Sequence, residues 1–210
     1  GAYFVARLFN GFSSKMSVHG AFEVDLTGNA TQLVSLSSGS EFYADFGGMN
    51  LNTHFSVQLS DSVCTIKNVQ MWTLGGTENG GSLTNSTLRL VDVESIKEGV
   101  NPLDGGNLMI ARDGSKLTFE RCKVECYAKF ILSNVAGDPI EINLLQADVT
   151  GENPSGNNSG LIASNNGLRI HLKMRDSRLF SNSGTTLSIQ GTLDVSGSYI
   201  GQRDREGITI

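Results

Sequence analysis

The chain has 210 residues, 39% of them hydrophobic, with ten phenylalanines, so it can fill a packed core. Its net charge of −5 argues against nucleic acid as a partner, and no apolar run reaches the ~20 residues of a membrane helix, so membrane insertion is not expected. Three cysteines without a CxxC pair argue against a disulfide framework and a zinc site.

A short phrase with apolar residues at its first and third positions recurs along the chain, separated by 20 to 30 residues. Its first position falls at Val24, Ala44, Cys64, Leu88, Leu117, Ile142, Leu172 and Leu193. Its third position falls at Leu26, Phe46, Ile66, Leu90, Phe119, Leu144, Met174 and Val195. Apolar residues two positions apart indicate a strand with one buried face. Each copy therefore predicts a β-strand.

A bend follows each of these strands. Two residues after the third position come Gly28, Gly48, Asn68, Asp92, Arg121, Gln146, Asp176 and Gly197. Six of these eight are Gly, Asn or Asp, the residue types that best tolerate a left-handed backbone. We therefore expect left-handed bends, in particular at Gly48, Asn68 and Gly197.

Many copies are preceded by a further short apolar segment, such as FSVQL at 55–59 or LMIA at 108–111. Three short strands per coil, all advancing in one direction, predict a parallel β-solenoid in which neighbouring coils enclose a continuous core. We expect an all-β fold with about eight coils over residues 20–210 and an irregular coil or cap at residues 1–19. Gly- and Asn-rich stretches at 74–82, 95–107 and 150–160 are expected to be surface loops.

The segments VCTIKNVQM, KLTFERCKV and TLDVSGSYI resemble the right-handed parallel β-helix of pectate-lyase-like proteins. That superfamily includes phage tailspikes, polysaccharide lyases and hydrolases, and bacterial surface adhesins. The resemblance covers about residues 20–200 and implies the fold. It selects no catalytic residue, because one scaffold carries many activities.

The histidines and cysteines do not form a recognisable reactive motif. His19, His54 and His171 are isolated in sequence and are interpreted as surface residues. Cys64 and Cys122 lie at inward positions, which predicts buried, reduced thiols, whereas Cys126 is expected to be exposed. Free buried thiols favour assembly inside a cell, as for a virion protein, over passage through an oxidising periplasm.

Two acids are expected to face each other. Asp25 and Asp45 both follow the first inward residue of their copies, which predicts neighbouring carboxylates on one outer face. Their repulsion would be offset by Ca²⁺, by a raised pKa of one of them, or by Lys15 or Arg7 nearby. The alternative, which we favour, is a pair of solvated acids that point apart without any cofactor.

An ion-pair ladder is expected on another outer face. The equivalent position of successive coils reads Gln70, Glu94, Lys123, Asp148, Arg178 and Tyr199, with alternating charge in four of them. Trp72 is the single tryptophan, and Asp104 lies in the longest loop. The binding candidates from the sequence are Asp25, Asp45, Trp72, Glu94, Asp104 and Tyr199.

Two classes of function fit these features. The first is a non-catalytic segment of a phage spike or bacterial adhesin, on the virion or the cell surface, whose rigid face recognises a polysaccharide or protein. The second is a glycan-degrading enzyme of the tailspike hydrolase or lyase kind, and a plain stalk is a third. Scattered acids and an aromatic content of 7% favour the first class. A phage origin would predict a homotrimer.

Overall fold

The structure is a computed structural model that describes residues 7–21, 24–26, 32–53, 55–74, 80–97, 108–126, 130–133, 137–152, 161–164 and 168–203. Asp104, His54 and Gly28 lie outside the described residues, as do most of the three expected loops (75–79, 98–107 and 153–160). In the described part all regular structure is β-strand, and no helix is long and apolar enough to cross a membrane.

The strands are numbered in chain order. The first eleven are β1 (Arg7–Phe12), β2 (Lys15–His19), β3 (Val24–Leu26), β4 (Gln32–Ser37), β5 (Glu41–Thr53), β6 (Phe55–Ser60), β7 (Val63–Leu74), β8 (Gly81–Thr84), β9 (Thr87–Lys97), β10 (Met109–Arg112) and β11 (Lys116–Glu120). The remaining ten are β12 (Lys123–Cys126), β13 (Ile131–Ser133), β14 (Ile140–Leu145), β15 (Asp148–Glu152), β16 (Ile162–Ser164), β17 (Arg169–Arg175), β18 (Arg178–Ser183), β19 (Leu187–Ser188), β20 (Gln190–Ser196) and β21 (Tyr199–Gln202).

The strands form a parallel β-solenoid, as the sequence predicted. One sheet stacks eight strands in the order β1-β4-β6-β8-β10-β13-β16-β19, and a second, bent sheet contains the other thirteen. Each level of the solenoid contributes one strand to the first sheet and two strand segments to the second. The segments are continuous through the bend in β5, β7 and β9 and separate in the later levels.

Copies of the repeated phrase pair with one another in register over about six turns, whereas about eight were expected. Cys64, Leu88, Leu117, Ile142, Leu172 and Leu193 are successive neighbours in one inward column. The two N-terminal copies are misaligned. Met16 and Phe42 hold the first column, Ala44 pairs with Ile66 in the second, and Val24 pairs with Leu51 on the other segment.

The cause of the misalignment is an insertion in β5. Asp45 pairs with Lys67 and Met49 pairs with Val69, so β5 has two more residues at its bend than β7. The additional backbone is accommodated at Gly47 and Gly48, which both have positive φ, 61° and 82°. Aligning the copies on Gly48 therefore places the residues before Gly48 two positions out of register. Because side chains alternate between the faces with a period of two, inward positions still match inward positions, and the apolar pattern does not reveal the shift.

The left-handed bends are confirmed at seven of the eight predicted positions, and the eighth, Gly28, is not described. The φ values are 82° at Gly48, 54° at Asn68, 54° at Asp92, 50° at Arg121, 53° at Gln146, 48° at Asp176 and 61° at Gly197. A second left-handed corner, between the two sheets, was not predicted. It includes Ser13, Ser38, Asp61, Asn85 and Asp113.

Buried serines hold this second corner together. The hydroxyl of Ser86 donates to the Thr84 carbonyl at 2.7 Å and accepts the backbone N–H of Ser62 at 3.1 Å. The N–H of Ser86 in turn donates to the Ser115 hydroxyl at 3.3 Å. Ser40, Ser86 and Ser115 thus each satisfy a carbonyl of their own turn and an N–H of the preceding level, and the Ser62 hydroxyl donates to the Ser60 carbonyl, as buried polar groups require. We call Ser40, Ser62, Ser86 and Ser115 the serine stack.

The core is the continuous space between the sheets, lined by side chains that are mostly less than 4% exposed. It extends to the N-terminal strands. β1 pairs with β4, and β2 pairs with β5. Residues 7–12 and 15–19 thus form strands that pair with the next level.

Candidate functional site

A column of polar side chains runs along the outer face of the second strand segment. Lys123 lies next to Glu94 on one side and Asp148 on the other, and the column continues through Arg178 to Tyr199. We call these five residues the ladder face. The predicted register of this ladder is confirmed, and at ~4.8 Å per strand the five positions span about 19 Å.

The charges of the ladder face pair two by two. Lys123 Nζ donates to Glu94 Oε1 at 2.7 Å, which raises the pKa of Lys123. Arg178 donates to Asp148 Oδ1 and to Thr150 Oγ1, both at 2.9 Å. Among the described ion pairs none joins Lys123 to Asp148. The column therefore consists of two ion pairs followed by an aromatic residue.

An aromatic platform ends the ladder face. Tyr199 is 53% exposed. Its ring stacks beside the ring of Phe180, with the ring centroids 6.4 Å apart and the ring planes at 22°. The Arg178 guanidinium lies 4.5 Å from the Phe180 centroid, within the range of a cation–π contact. A Cβ atom at Gly201 would collide with the Tyr199 ring, so glycine there lets the ring lie against the backbone of β21.

A second candidate region surrounds Asp45 at the bend of β5. Asp45 Oδ1 accepts hydrogen bonds from Asn68 Nδ2 at 2.8 Å and from the Gly47 N–H at 3.1 Å. These donors, the Asn68 amide first, hold the pKa of Asp45 below its usual value. On the same outer surface Tyr43 lies 5.2 Å from the His19 ring and 5.3 Å from Lys67 Nζ, measured to the Tyr43 centroid.

The inserted glycines leave an open depression of about 400 Å³ next to Asp45. Its lining residues are Gly47, Gly48, Asn68, Val69, Gln70 and Asp92. The Asp92 carboxylate is already occupied, because Arg121 donates to both of its oxygens at 2.6 and 2.8 Å. The Arg121 hydrogen bonds lower the pKa of Asp92, so both acids at this corner are ionised acceptors at neutral pH.

The predicted acid pair is not formed. Asp25 pairs with Asn52, on the other side of the bend, whereas the strand neighbours of Asp45 are His19 and Lys67. The side chain of Asp25 lies outside what the structure describes. The two residues are therefore not strand neighbours, Ca²⁺ at either of them stays a prediction, and the pKa of Asp45 is lowered, not raised. Within the described residues no three His, Cys, Asp or Glu side chains are grouped to hold a metal ion.

Trp72 belongs to the core. Its side chain is 1% exposed, and its indole N–H donates to Thr53 Oγ1 at 2.9 Å. The reason is a bulge in β7: Val69 pairs with Val93 and Trp72 with Ser95, so β7 has one more residue in this interval. A one-residue shift reverses the faces of a strand, which turns Trp72 inward.

The remaining predicted residues fall in three places. Glu94 and Tyr199 are both on the ladder face, four levels apart. Asp104 is not described. Cys64 and Cys122 are buried as expected, but Cys126 is buried too, at 3% exposure, and all three are reduced thiols. Burial raises the pKa of the Cys122 thiol to about 11 and that of Cys64 further still.

Only one of the two aromatic residues of the platform was predicted from the sequence. Tyr199 was found because it lies in the ladder register, but Phe180 and Gly201 were not. A signal was present: Phe180 and Gly201 lie two residues after the ladder residues Arg178 and Tyr199, at the spacing that puts side chains on one face of a strand. Comparison of the chain with family models, with curated proteins and with solved structures found no match.

Proposed function

We propose that this protein is a non-catalytic β-solenoid module, of the pectate-lyase-like kind, whose ladder face binds a cell-surface polysaccharide. The observation that carries the proposal is the aromatic platform formed by the exposed Tyr199 and the half-buried Phe180, adjoining a straight column of paired charges. We place the module on a virion or a bacterial surface, as a segment of a spike or adhesin.

The platform suits a sugar ring for a physical reason. An aromatic side chain offers a large apolar face at low conformational cost, while its hydroxyl and neighbours supply hydrogen bonds. The axial C–H groups of a pyranose match the ring face, and its hydroxyls match the carboxylates and guanidinium of Asp148 and Arg178. Because the strands are parallel and in register, the donors are held in place before the ligand arrives.

Five of the described acids are unsuited to act as the general acid of a hydrolase. Five carboxyl groups have a pKa below the usual value, each because a neighbouring donor hydrogen-bonds to it; they are Asp45, Asp92, Glu120, Glu141 and Asp194. Polysaccharide hydrolysis requires a carboxylic acid that stays protonated near the working pH. The paired acids support the binding role.

The test is titration calorimetry with purified capsular polysaccharides and lipopolysaccharide O-chains. Tyr199→Ala should weaken binding by about tenfold or more, as loss of an aromatic contact does. Tyr43→Ala is the matched control, since it removes the same side chain from the other outer face, beside Lys67. Loss of binding in the control alone would move the site to Asp45 and overturn the proposal.

The same polysaccharides should be incubated with the protein and assayed for new reducing ends and for absorbance of unsaturated ends. No increase over the buffer control is expected. A turnover-dependent increase would replace the proposal with the glycan-degrading alternative. Binding to no polysaccharide, combined with Tyr199-dependent binding to a surface protein, would also contradict it.

A further inference from the structure

The two ends of the solenoid differ from its middle in how well the core is covered. The apolar residues that pack on the core but are only partly buried all belong to the first or last level of the described residues. They are Phe9, Met16 and Val18 at one end, and Ile189, Leu193 and Ile200 at the other. Among the described residues, the core is thus covered along its length and only partly covered at both ends.

One inward column shows the effect quantitatively. Ile66, Leu90 and Phe119 in this column are 0–3% exposed, and Val195, which ends it, is 40% exposed. Val195 has a neighbour, Met174, on one side only. Its exposure therefore arises because no described strand covers its other side, and not from an outward orientation.

The described strands at the C-terminal end of the solenoid also have an unpaired backbone edge. β19, β20 and β21 each pair with one strand, the equivalent strand of the preceding level, within the part of the chain that the structure describes. A strand edge with unpaired N–H and C=O groups is a template for a further parallel strand. Exposed apolar side chains beside it add a hydrophobic contribution to that pairing.

We infer that the C-terminal end of the solenoid binds the N-terminal end of a second copy of this chain, so that the copies stack head to tail. The two ends present equivalent strands, because every level repeats the same arrangement. Met16 and Val18 of β2 occupy the columns in which Leu193 and Val195 of β20 lie. A second copy in the same register continues both columns with apolar side chains.

The outer charges of the two ends are complementary in that register. The position of Asp194 continues into that of Ser17, with Lys15 and His19 on either side of Ser17 on the same face. Asp194 pairs with Arg175 and Lys15 pairs with Glu41 within their own ends, and side-chain exposures of 62% and 77% leave both accessible at the junction. An acid diagonal to a lysine on an adjacent strand is attractive.

Such a contact joins two different surfaces and leaves a free end on each copy. A heterologous interface of this kind extends as an open chain unless a rotation closes it. The inference does not depend on polysaccharide binding, because the junction uses the backbone edges and the inward columns, whereas the ladder side chains, including Tyr199 on β21, point outward from the sheet.

The first test is sedimentation velocity of the full chain over a range of concentrations. The wild type should associate reversibly, and Val195→Lys should weaken association about a hundredfold or more, because it places an unpaired charge in the junction. Val63→Lys is the matched control: Val63 is 44% exposed but lies on the outer face of β7, within the solenoid. It should associate like the wild type.

The second test separates head-to-tail stacking from any other contact. Val18→Lys blocks the N-terminal end, so an equimolar mixture of Val18→Lys and Val195→Lys should give a dimer and nothing larger, while each variant alone stays monomeric. Circular dichroism verifies that each variant folds. If either does not fold, Asp194→Lys should weaken association instead, by placing a second positive charge next to Lys15. A monomeric wild type, or association that Val195→Lys or its substitute leaves unchanged, overturns the inference.

Discussion

The N-terminal and central levels of the solenoid are built from the same columns but differ in regularity. β11, β14 and β17 pair in register without interruption, and the inward side chains there are almost completely buried. β5 and β7 contain insertions at the bend, and the first level is only partly covered. Regular stacking gives rigidity, whereas the insertions create the depression at Asp45 and set which side chains face outward.

The largest expected difference between the two regions is in core packing. Phe119→Ala, which removes a fully buried ring that packs 4.9 Å from the ring of Phe130, should lower the free energy of unfolding by about 3–5 kcal/mol. Met16→Ala in the first level should cost only about 1–2 kcal/mol, because its side chain is partly exposed already. Denaturant titrations followed by circular dichroism measure both. Equal losses would mean that the end level is as tightly packed as the centre.

The bend at Asn68 provides the second contrast. Asn68→Val should destabilise the protein by about 1–2 kcal/mol, because a β-branched side chain is strained at a φ of 54°. Asn68→Gly relieves that strain and loses only the hydrogen bond to Asp45, so it should be the milder change. Thermal melts of both variants check this. A better tolerated valine would contradict the role of the left-handed backbone.

Acid should weaken the Asp92–Arg121–Glu120 cluster before it affects the core. The pKa values of Asp92 and Glu120 are lowered in the folded protein by hydrogen bonds from Arg121 and Arg89. A lowered folded pKa contributes stability that is present above the unfolded values, 3.8 and 4.5, and is lost as the pH falls through the folded values. These groups are exposed to solvent, so the contribution is about 1 kcal/mol or less.

The measurement is the free energy of unfolding between pH 7 and pH 2.5 for the wild type and Arg121→Gln. The variant should be less stable at neutral pH and should lose less stability on acidification. Asp45→Asn serves as the control, because it removes an acid whose low pKa depends chiefly on Asn68 instead of on Arg121. If the free energy of unfolding falls with pH equally in the wild type and in Arg121→Gln, Arg121 does not lower the pKa values of these acids.

The smallest expected effect is a gain. Gln146 has a φ of 53° in a central level and an exposed side chain. Gln146→Gly should stabilise the protein by about 0.5 kcal/mol, since relief of the left-handed strain exceeds the added entropy of the unfolded chain. Gln70→Gly, at an exposed position whose φ is not positive, should instead destabilise. Melting temperatures of the two variants distinguish them.

Local preferences account for the features that could be predicted. Alternation of apolar residues and the Gly, Asn and Asp positions are properties of a few adjacent residues, so they predicted the strands and the left-handed bends correctly. Arg121 and Gln146 are left-handed in spite of their residue type, because the levels on either side impose the bend. The serine stack was missed, since serine is common at ordinary turns and its partners lie more than twenty residues away.

The amino-acid sequence by itself determined the parallel solenoid, its two apolar columns and the register of six turns, because these follow from short-range periodicity repeated many times. The tertiary structure alone decided where Asp25, Asp45 and Trp72 lie. An insertion of one or two residues leaves the local pattern intact but changes the partners, or reverses the faces, of the residues on its far side. Such an insertion becomes detectable only when the strand is paired with its neighbours, and that pairing is chosen by the packing of whole levels.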